Sequence, residues 1–165
     1  MPGTLGQGFR ILPNGASTIE NISNQIPTAM TVRDIMTSDV ITVTPDMTLW
    51  EVDSHLRNYG FRHVPVEENG KLVGIISDRD VLRSMSPFVN TPSEKQRDVR
   101  TLERQAREFM REAPVCIGPD EPIEEAARIL LEEGISSLPV LTETGEIVGI
   151  LTNRDVMRHF AQKTV

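Results

Sequence analysis

The sequence has a single cysteine, Cys116, so no disulfide can close within the chain and a reducing compartment suits it. It has no excess of positive charge. Lys and Arg total 17 against 24 Asp and Glu, a formal net charge of −7, so the basic face of a nucleic-acid binder is missing. It has no long apolar run either. The longest, around 72–76 and 147–151, are a handful of residues and far too short for a bilayer. The N-terminus lacks the basic-then-apolar order of a secretion signal. These absences predict a soluble cytoplasmic chain with neither membrane nor nucleic acid among its partners.

Catalytic signatures are also missing. Neither Gly-x-Ser-x-Gly nor a P-loop occurs. His55, His63 and His159 fall in different predicted elements, without a cysteine or acidic partner at metal-ligand spacing. Cys116 sits in an apolar run with no base nearby in sequence, the setting of an inert core thiol. The expectation is therefore no enzyme and no metal. An unrecognised hydrolase would need a nucleophile that the sequence does not display.

What the chain does have is a repeat. Gly74-Ile75-Ile76-Ser77-Asp78-Arg79-Asp80-Val81 returns 75 positions later as Gly149-Ile150-Leu151-Thr152-Asn153-Arg154-Asp155-Val156. Arg33-Asp34-Ile35-Met36 returns as Arg107-Glu108-Phe109-Met110, Pro45-Asp46 as Pro119-Asp120, and Val64-Pro65-Val66 as Leu138-Pro139-Val140. The offset grows by one residue inside a hairpin, where Asn69-Gly70 and Thr144-Gly145 supply turn chemistry. In each copy a short strand stops at a hydroxyl, Ser77 or Thr152, with an acid three residues on, Asp80 or Asp155. That is the spacing of a helix capping box, and a strand feeding a helix start also aims free N–H groups at one spot.

The periodicities predict β-α-β-β-α in each copy. Short strands at Val40–Val43 and Val115–Ile117 precede helices carrying Leu49, Val52, Leu56 and Tyr59, and Ile123, Ala126, Ala127 and Leu130. Hairpins over 62–77 and 136–152 follow, and closing helices start near Asp78 and Asn153. Residues 1–29, rich in small and polar residues, are expected as a loose tail or as an arm on a partner or pocket. The repeats divide the rest into domains at 30–86 and 107–165, joined by a partly helical linker at 87–106. The stretch from Ser93, with Val99, Leu102, Ala106 and Phe109 on one stripe, predicts a bridging helix. The helix stripes, including Leu49, Trp50, Ile123 and Ile129, look too apolar for one small sheet to cover, which points to a dimer.

This ordered set of motifs resembles the cystathionine-β-synthase-type (CBS) domain, and the tandem resembles a Bateman module running from about Thr31 to the C-terminus. The resemblance implies an α/β (α+β) fold of two β-α-β-β-α repeats packed about a pseudo-two-fold axis, commonly as a homodimer, with no catalytic domain alongside. It implies clefts that bind adenosine compounds such as AMP, ADP, ATP or S-adenosylmethionine. The compound would be a regulatory ligand rather than a cofactor, with magnesium where it is ATP. The regulated protein is not named by any residue.

Carried onto this sequence, the family's ribose signature falls on Ser77 and Asp80, and again on Thr152 and Asp155. A carboxylate accepting both hydroxyls of a cis diol is sensible chemistry, and capping of the helix is the competing role. Phosphate contacts would come from Arg62 and His63, where the second copy has Ser136 and Ser137, and from Arg79 and Arg154. The adenine would lie against Val40, Thr42, Val64 and Pro65, or Cys116, Leu138 and Pro139. The competing reading is a ligand-free dimerisation or scaffold module.

Overall fold

The structure, a computed structural model, describes Arg10–Ile11 and residues 30–162. Apart from Arg10–Ile11, the expected N-terminal tail or arm lies outside the described residues. In chain order the elements are β1 (Arg10–Ile11), α1 (Val32–Ile35), α2 (Leu49–Tyr59), β2 (His63–Glu68), β3 (Lys71–Ser77), α3 (Asp78–Ser84), α4 (Gln96–Val99), β4 (Arg111–Glu112), β5 (Val115–Cys116), α5 (Ile123–Glu132), β6 (Ser137–Leu141), β7 (Ile147–Thr152) and α6 (Asn153–Gln162). The fold is α+β: small sheets and helices, repeated. The first predicted strand, Val40–Val43, is reduced to one parallel bridge between Val43 and Val66. Its second copy keeps β5 and the matching bridge, Ile117 to Val140.

The helices form where capping and apolar spacing agree. α2 opens on Thr48, whose hydroxyl accepts from Glu51 N at 3.3 Å while the Glu51 carboxylate accepts from Thr48 N at 2.7 Å. Leu49, Val52 and Leu56 recur at helical spacing and are buried. Gly60, at φ 68, ends the helix in the left-handed region that a side chain disfavours. Burial of each such aliphatic side chain contributes about 1.5–3 kcal/mol.

The chain folds into two compact units that do not follow the repeat boundaries. One is Ile41–Pro114; the other joins residues 30–40 to 115–162, with Arg10–Ile11. Each unit takes the segment that leads into the opposite copy. In the first, Ala106 N donates to Met47 O at 2.8 Å, Arg107 N to Pro45 O at 3.0 Å, and the Arg107 guanidinium pairs with Asp46. In the second the same bonds recur one repeat away: Val32 N to Glu121 O at 2.9 Å, Arg33 N to Pro119 O at 2.8 Å, and Arg33 to Asp120 at 3.0 Å. The repeated Arg-Asp-Ile-Met and Pro-Asp motifs thus serve each other across the copies.

The sheets follow the same rule. In the first unit β2 and β3 form an antiparallel hairpin, with β4 on the far edge of β3. In the second, β6 and β7 pair alike, and Thr37 bridges Ile150 through two bonds of 3.0 Å. Both hairpins carry a register irregularity at the same place, Val66/Glu67 and Val140/Leu141. β1 adds a parallel strand beside β5, Arg10 opposite Val115 and Ile11 opposite Cys116.

Each unit has its own core. Val43, Leu49, Val52, Leu56, Val64, Val66, Ile76, Val81 and Ala106 build one; Val32, Ile117, Ile123, Ala126, Ile129, Leu130, Leu138, Val140, Leu151 and Val156 build the other. Two expectations are corrected here. The bridging helix is a single turn, α4, capped at Lys95 rather than Ser93 and followed by 3-10 turns at Arg100–Glu103 and Ala106–Glu108. The reason lies at Asp98, 5% exposed. Its carboxylate accepts from Ser86 Oγ at 2.7 Å and Lys95 N at 2.8 Å, and these bonds hold its pKa below the usual carboxylate value. The linker is folded back and pinned instead of running on as a helix. Second, Leu49, Ile123 and Ile129 are at most 1% exposed and covered by their own units, so they leave nothing for a dimer; only Trp50 of that set, at 61%, stays exposed.

Candidate functional site

Each unit contains one strand-to-helix turn whole. In the first, β3 ends at Ser77 and α3 begins at Asp78. Ser77 N and Ser77 Oγ both donate to Asp80 Oδ2, at 2.9 and 2.6 Å, and Asp80 N donates back to Ser77 Oγ at 3.3 Å. Both bonds to the carboxylate fall on Oδ2, which fixes it. His63 stands opposite Ser77 in the sheet, and Asp78 N donates to the Arg62 carbonyl at 2.9 Å. Residues 62–63 and 77–80 are therefore one hydrogen-bonded group. Burial pushes the His63 pKa below its usual 6.5 against the pull of Asp78 and Asp80, so the ring is neutral at pH 7.

The second turn repeats the two bonds to the carboxylate and the bond back to the strand. Thr152 N and Oγ1 donate to Asp155 Oδ2 at 2.9 and 2.6 Å, and Asn153 N donates to the Ser136 carbonyl at 3.1 Å. Ser137 takes the place of His63, opposite Thr152, and is 7% exposed. Two differences follow. The second turn has no cation at 136 or 137, and Arg158 Nη1 already lies 3.5 Å from Asp155 Oδ1.

The other sequence candidates scatter. Arg62, Arg79 and Arg154 are exposed, Arg79 and Arg154 in the first turns of α3 and α6. Val64, Cys116 and Leu138, at 1, 0 and 0% exposure, are packed inside, and Pro65 and Pro139 are buried. The burial of Cys116 pushes its thiol pKa to about 12. Val40 and Thr42 are half-buried, but Val40 belongs to the unit holding Thr152–Asp155 and Thr42 to the unit holding Ser77–Asp80.

Residues that the sequence did not single out share a sheet face with Ser77 and Thr152. In β3 burial alternates, with Leu72, Gly74 and Ile76 inside and Val73, Ile75 and Ser77 on the other, half-buried face. In β7 Val148, Ile150 and Thr152 repeat this. Val73 and Ile75 read like core residues because both strand faces are apolar; that two-sidedness was the available signal. Met110 and Met36 sit over Gly74 and Gly149. An added Cβ at Gly74 would lie 3.0 Å from Met110 Cγ, and one at Gly149 would lie 3.0 Å from Met36 Cγ. Those glycines are needed for this seat. Among the described residues no group of three or more His, Cys, Asp or Glu is placed to hold a metal, and no helix is long and apolar enough to cross a membrane.

These features define a tandem pair of α+β repeats, each with a capped Ser/Thr–Asp turn beside its hairpin. The model of the CBS domain family matches residues 32–87 and 106–162, and the chain belongs to that family. A CBS domain-containing protein of Dictyostelium discoideum is 31% identical over 128 residues, covering 76% of this chain and 88% of its own length. An uncharacterized protein of Methanocaldococcus jannaschii is 36% identical over 133 residues, covering 81% of this chain and 45% of its own length. An inosine-5'-monophosphate dehydrogenase of Korarchaeum cryptofilum is 31% identical over 149 residues, covering 90% of this chain and 28% of its own length. The chain thus spans less than half the length of the latter two.

Solved structures agree on the fold. The CBS domain pair of protein MJ0100, in complex with 5'-methylthioadenosine and S-adenosyl-L-methionine, superposes with a TM-score of 0.69 at 26% identity, covering 82% of this chain and 98% of that one. CBSX2 of Arabidopsis thaliana, in complex with AMP, gives 0.67 at 29% identity, covering 82% and 98%.

Proposed function

We propose that this CBS pair is a regulatory module that binds an adenosine compound without consuming it and answers by changing shape or partner affinity. The observation that carries the reading is the doubled turn. In both copies the cap's two donors fall on one oxygen of the aspartate, Oδ2, at 2.6 and 2.9 Å, and Oδ1 lies outside the cap, with Arg158 Nη1 3.5 Å from it in Asp155. Asp80 and Asp155 would accept the ribose hydroxyls, with Ser77 and Thr152 fixing the carboxylates. Arg62 and His63, with Arg79, would meet phosphate at the first turn; the second keeps Arg154 alone. The adenine would lie on the half-buried face beside Ile75 or Ile150; of the sequence set, Val40 and Thr42 are half-buried as well. Similarity to pairs solved with AMP and with S-adenosylmethionine supports the ligand class.

The same reading places the module in the cytoplasm with a separate protein as its target, and has magnesium accompany the ligand if that is ATP. It makes the chain a homodimer through helix surfaces such as Leu131 and Met157, which are 82% and 69% exposed. A second reading, a ligand-free scaffold, is favoured by the reciprocal bonds of Ser77 and Asp80, which make a full helix cap by themselves. Thermal unfolding with adenosine, AMP, ADP, ATP and S-adenosylmethionine separates the two. Ligand at about a hundred times its Kd adds roughly 2.7 kcal/mol of stability, several degrees for a chain of this size. A melting temperature unmoved by the whole panel leaves only the scaffold.

A further inference from the structure

Met36 and Met110 hold matching positions one repeat apart, each at the end of the leading segment that its unit takes. Met36 N closes the turn of α1 on Val32 O at 2.9 Å, and Met110 N bonds back to Ala106 O at 2.8 Å. The next residue in each case is the one that reaches the hairpin. Thr37 exchanges two 3.0 Å backbone bonds with Ile150, and Arg111 opens β4 opposite Ile75. The thioether is thus the joint between a turn and a sheet edge, and it lies on a glycine of the hairpin's buried face.

The contact is close. A Cβ on Gly149 would stand 3.0 Å from Met36 Cγ and 3.2 Å from Met36 Cε, so the sulfur between these carbons rests on the glycine itself. A Cβ on Gly74 would stand 2.7 Å from Met110 Sδ. Both glycines are buried, whereas both methionines are half-buried and packed against the core of their own unit. Half-burial leaves each side chain open to a small oxidant, while the side that meets the strand has no room for another atom. Met30 and Met157, at 37 and 69% exposure, stand at the surface instead.

We propose that Met36 and Met110 are paired oxidation sites, at which a peroxide converts the thioether to the sulfoxide and so frees the edge residue that follows, Thr37 or Arg111, from its hairpin. The sulfur lone pair takes one oxygen of hydrogen peroxide, the O–O bond breaks, and the other oxygen leaves as water. The sulfur is oxidised by two electrons and the peroxide is reduced by two. The product is polar and chiral where the thioether was apolar and flexible. Its oxygen needs room and a hydrogen-bond donor, and a seat of glycine backbone and core side chains is tight for the first and poor in the second. Because the seat is duplicated, one chemistry loosens both hairpins. Nothing in this chemistry requires the adenosine reading above.

Treatment of the purified full chain with hydrogen peroxide, read by peptide mass spectrometry, thermal unfolding and hydrogen exchange, tests it. Met30 and Met157 should oxidise first and leave the melting temperature within about 2 °C of the parent. Oxidation at 36 and 110 should lower it by at least about 5 °C, as for two overpacked seats. The amides of Thr37, Ile150 and β4 should then exchange faster while those of α5 keep their protection. Methionine sulfoxide reductase with a thiol reductant should restore the parent. The double variant Met36→Leu/Met110→Leu should keep its melting temperature under the same peroxide, although Met47 and Met85 stay half-buried on the first core. If leucine itself unseats the segments, the exchange measurement on the parent decides alone. An equal fall in parent and double variant overturns the proposal. So does sulfoxide at 36 and 110 with Thr37 and Ile150 exchanging as before, or no sulfoxide at either position once Met157 is fully oxidised.

Discussion

The turns at 77–80 and 152–155 are bonded alike and surrounded differently. In both, the aspartate takes two donors on one oxygen at 2.9 and 2.6 Å, and the first helical N–H bonds back to the strand residue before the hairpin's first position. Around the first stand Arg62, His63 and Arg111; around the second stand Ser136, Ser137 and Thr37. What the helix cap requires is kept in both copies, because losing it costs about 1 kcal/mol whatever the ligand. The residues that differ lie on neighbouring strands, which the cap does not constrain. On the function proposed above, the comparison would separate a ribose grip common to both copies from a phosphate preference stronger in the first.

The largest expected effect is at the aspartates. Asp80→Ala and Asp155→Ala should each weaken ribose-bearing ligands at their own turn by roughly a hundredfold or more, two charge-assisted hydrogen bonds being lost. The stability loss should be only about 1 kcal/mol. Calorimetry and urea unfolding on the same samples read the two effects apart. Stability loss with affinity intact would reduce both turns to caps.

Next comes the charge before the Val-Pro. Arg62→Ala should weaken AMP by roughly ten- to a hundredfold and leave adenosine nearly unchanged. Ser136→Arg, the reciprocal change, should improve AMP binding at the second turn. If the ratio of AMP to adenosine affinity stays at the parent value in Arg62→Ala, the assigned contrast between copies is wrong.

The methionine seats offer a third comparison. Gly74→Ala and Gly149→Ala should each lower stability by about 1–3 kcal/mol, the range for overpacking. Met36→Ala should restore most of the loss at Gly149, where all three nearest atoms belong to Met36. Met110→Ala should restore less at Gly74, because the Arg111 carbonyl, 3.1 Å from the new Cβ, is backbone and cannot move aside. Urea midpoints of the four single and two double variants measure this. Equal rescue would show that the two seats yield alike.

The smallest effect is the pH dependence contributed by His63, whose place in the second copy is taken by Ser137. Burial depresses the His63 pKa below 6.5 in the folded chain. Its contribution is fully present above the unfolded value and is lost as pH falls through the folded one, because the unfolded chain then takes up a proton that the folded chain resists. Unfolding midpoints should therefore drop more in the parent than in His63→Gln between about pH 7.5 and about pH 5.5. Identical pH profiles would place the ring in an environment no different from water.

Much of the fold was legible because repeat and periodicity are local signals. α2, α5 and both hairpins lie where Leu49-Val52-Leu56, Ile123-Ala126-Leu130 and the Asn69-Gly70 and Thr144-Gly145 turns put them. The turns were legible too, since Ser77 with Asp80 and Thr152 with Asp155 are three residues apart. What the sequence hid is long-range. Nothing in Arg107 says that its partner is Asp46, or in Arg33 that it is Asp120, because the leading segments are exchanged between copies. For the same reason the sequence does not show that Arg111 stands opposite Ile75, which is a matter of strand pairing and not of spacing. Val64 and Leu138 were nominated for the adenine by their motif, yet they sit at 1 and 0% exposure, because the residue before each proline faces its own core.

The central claim is that both aspartates hold a ribose. Its most direct measurement is calorimetric titration of adenosine, which carries no phosphate, into the folded double variant Asp80→Ala/Asp155→Ala beside the parent. The account predicts binding by the parent and none by the double variant at the same concentrations, with a melting temperature lowered by only several degrees, about 2 kcal/mol for two lost caps. Adenosine binding to the double variant with the parent's affinity would contradict it.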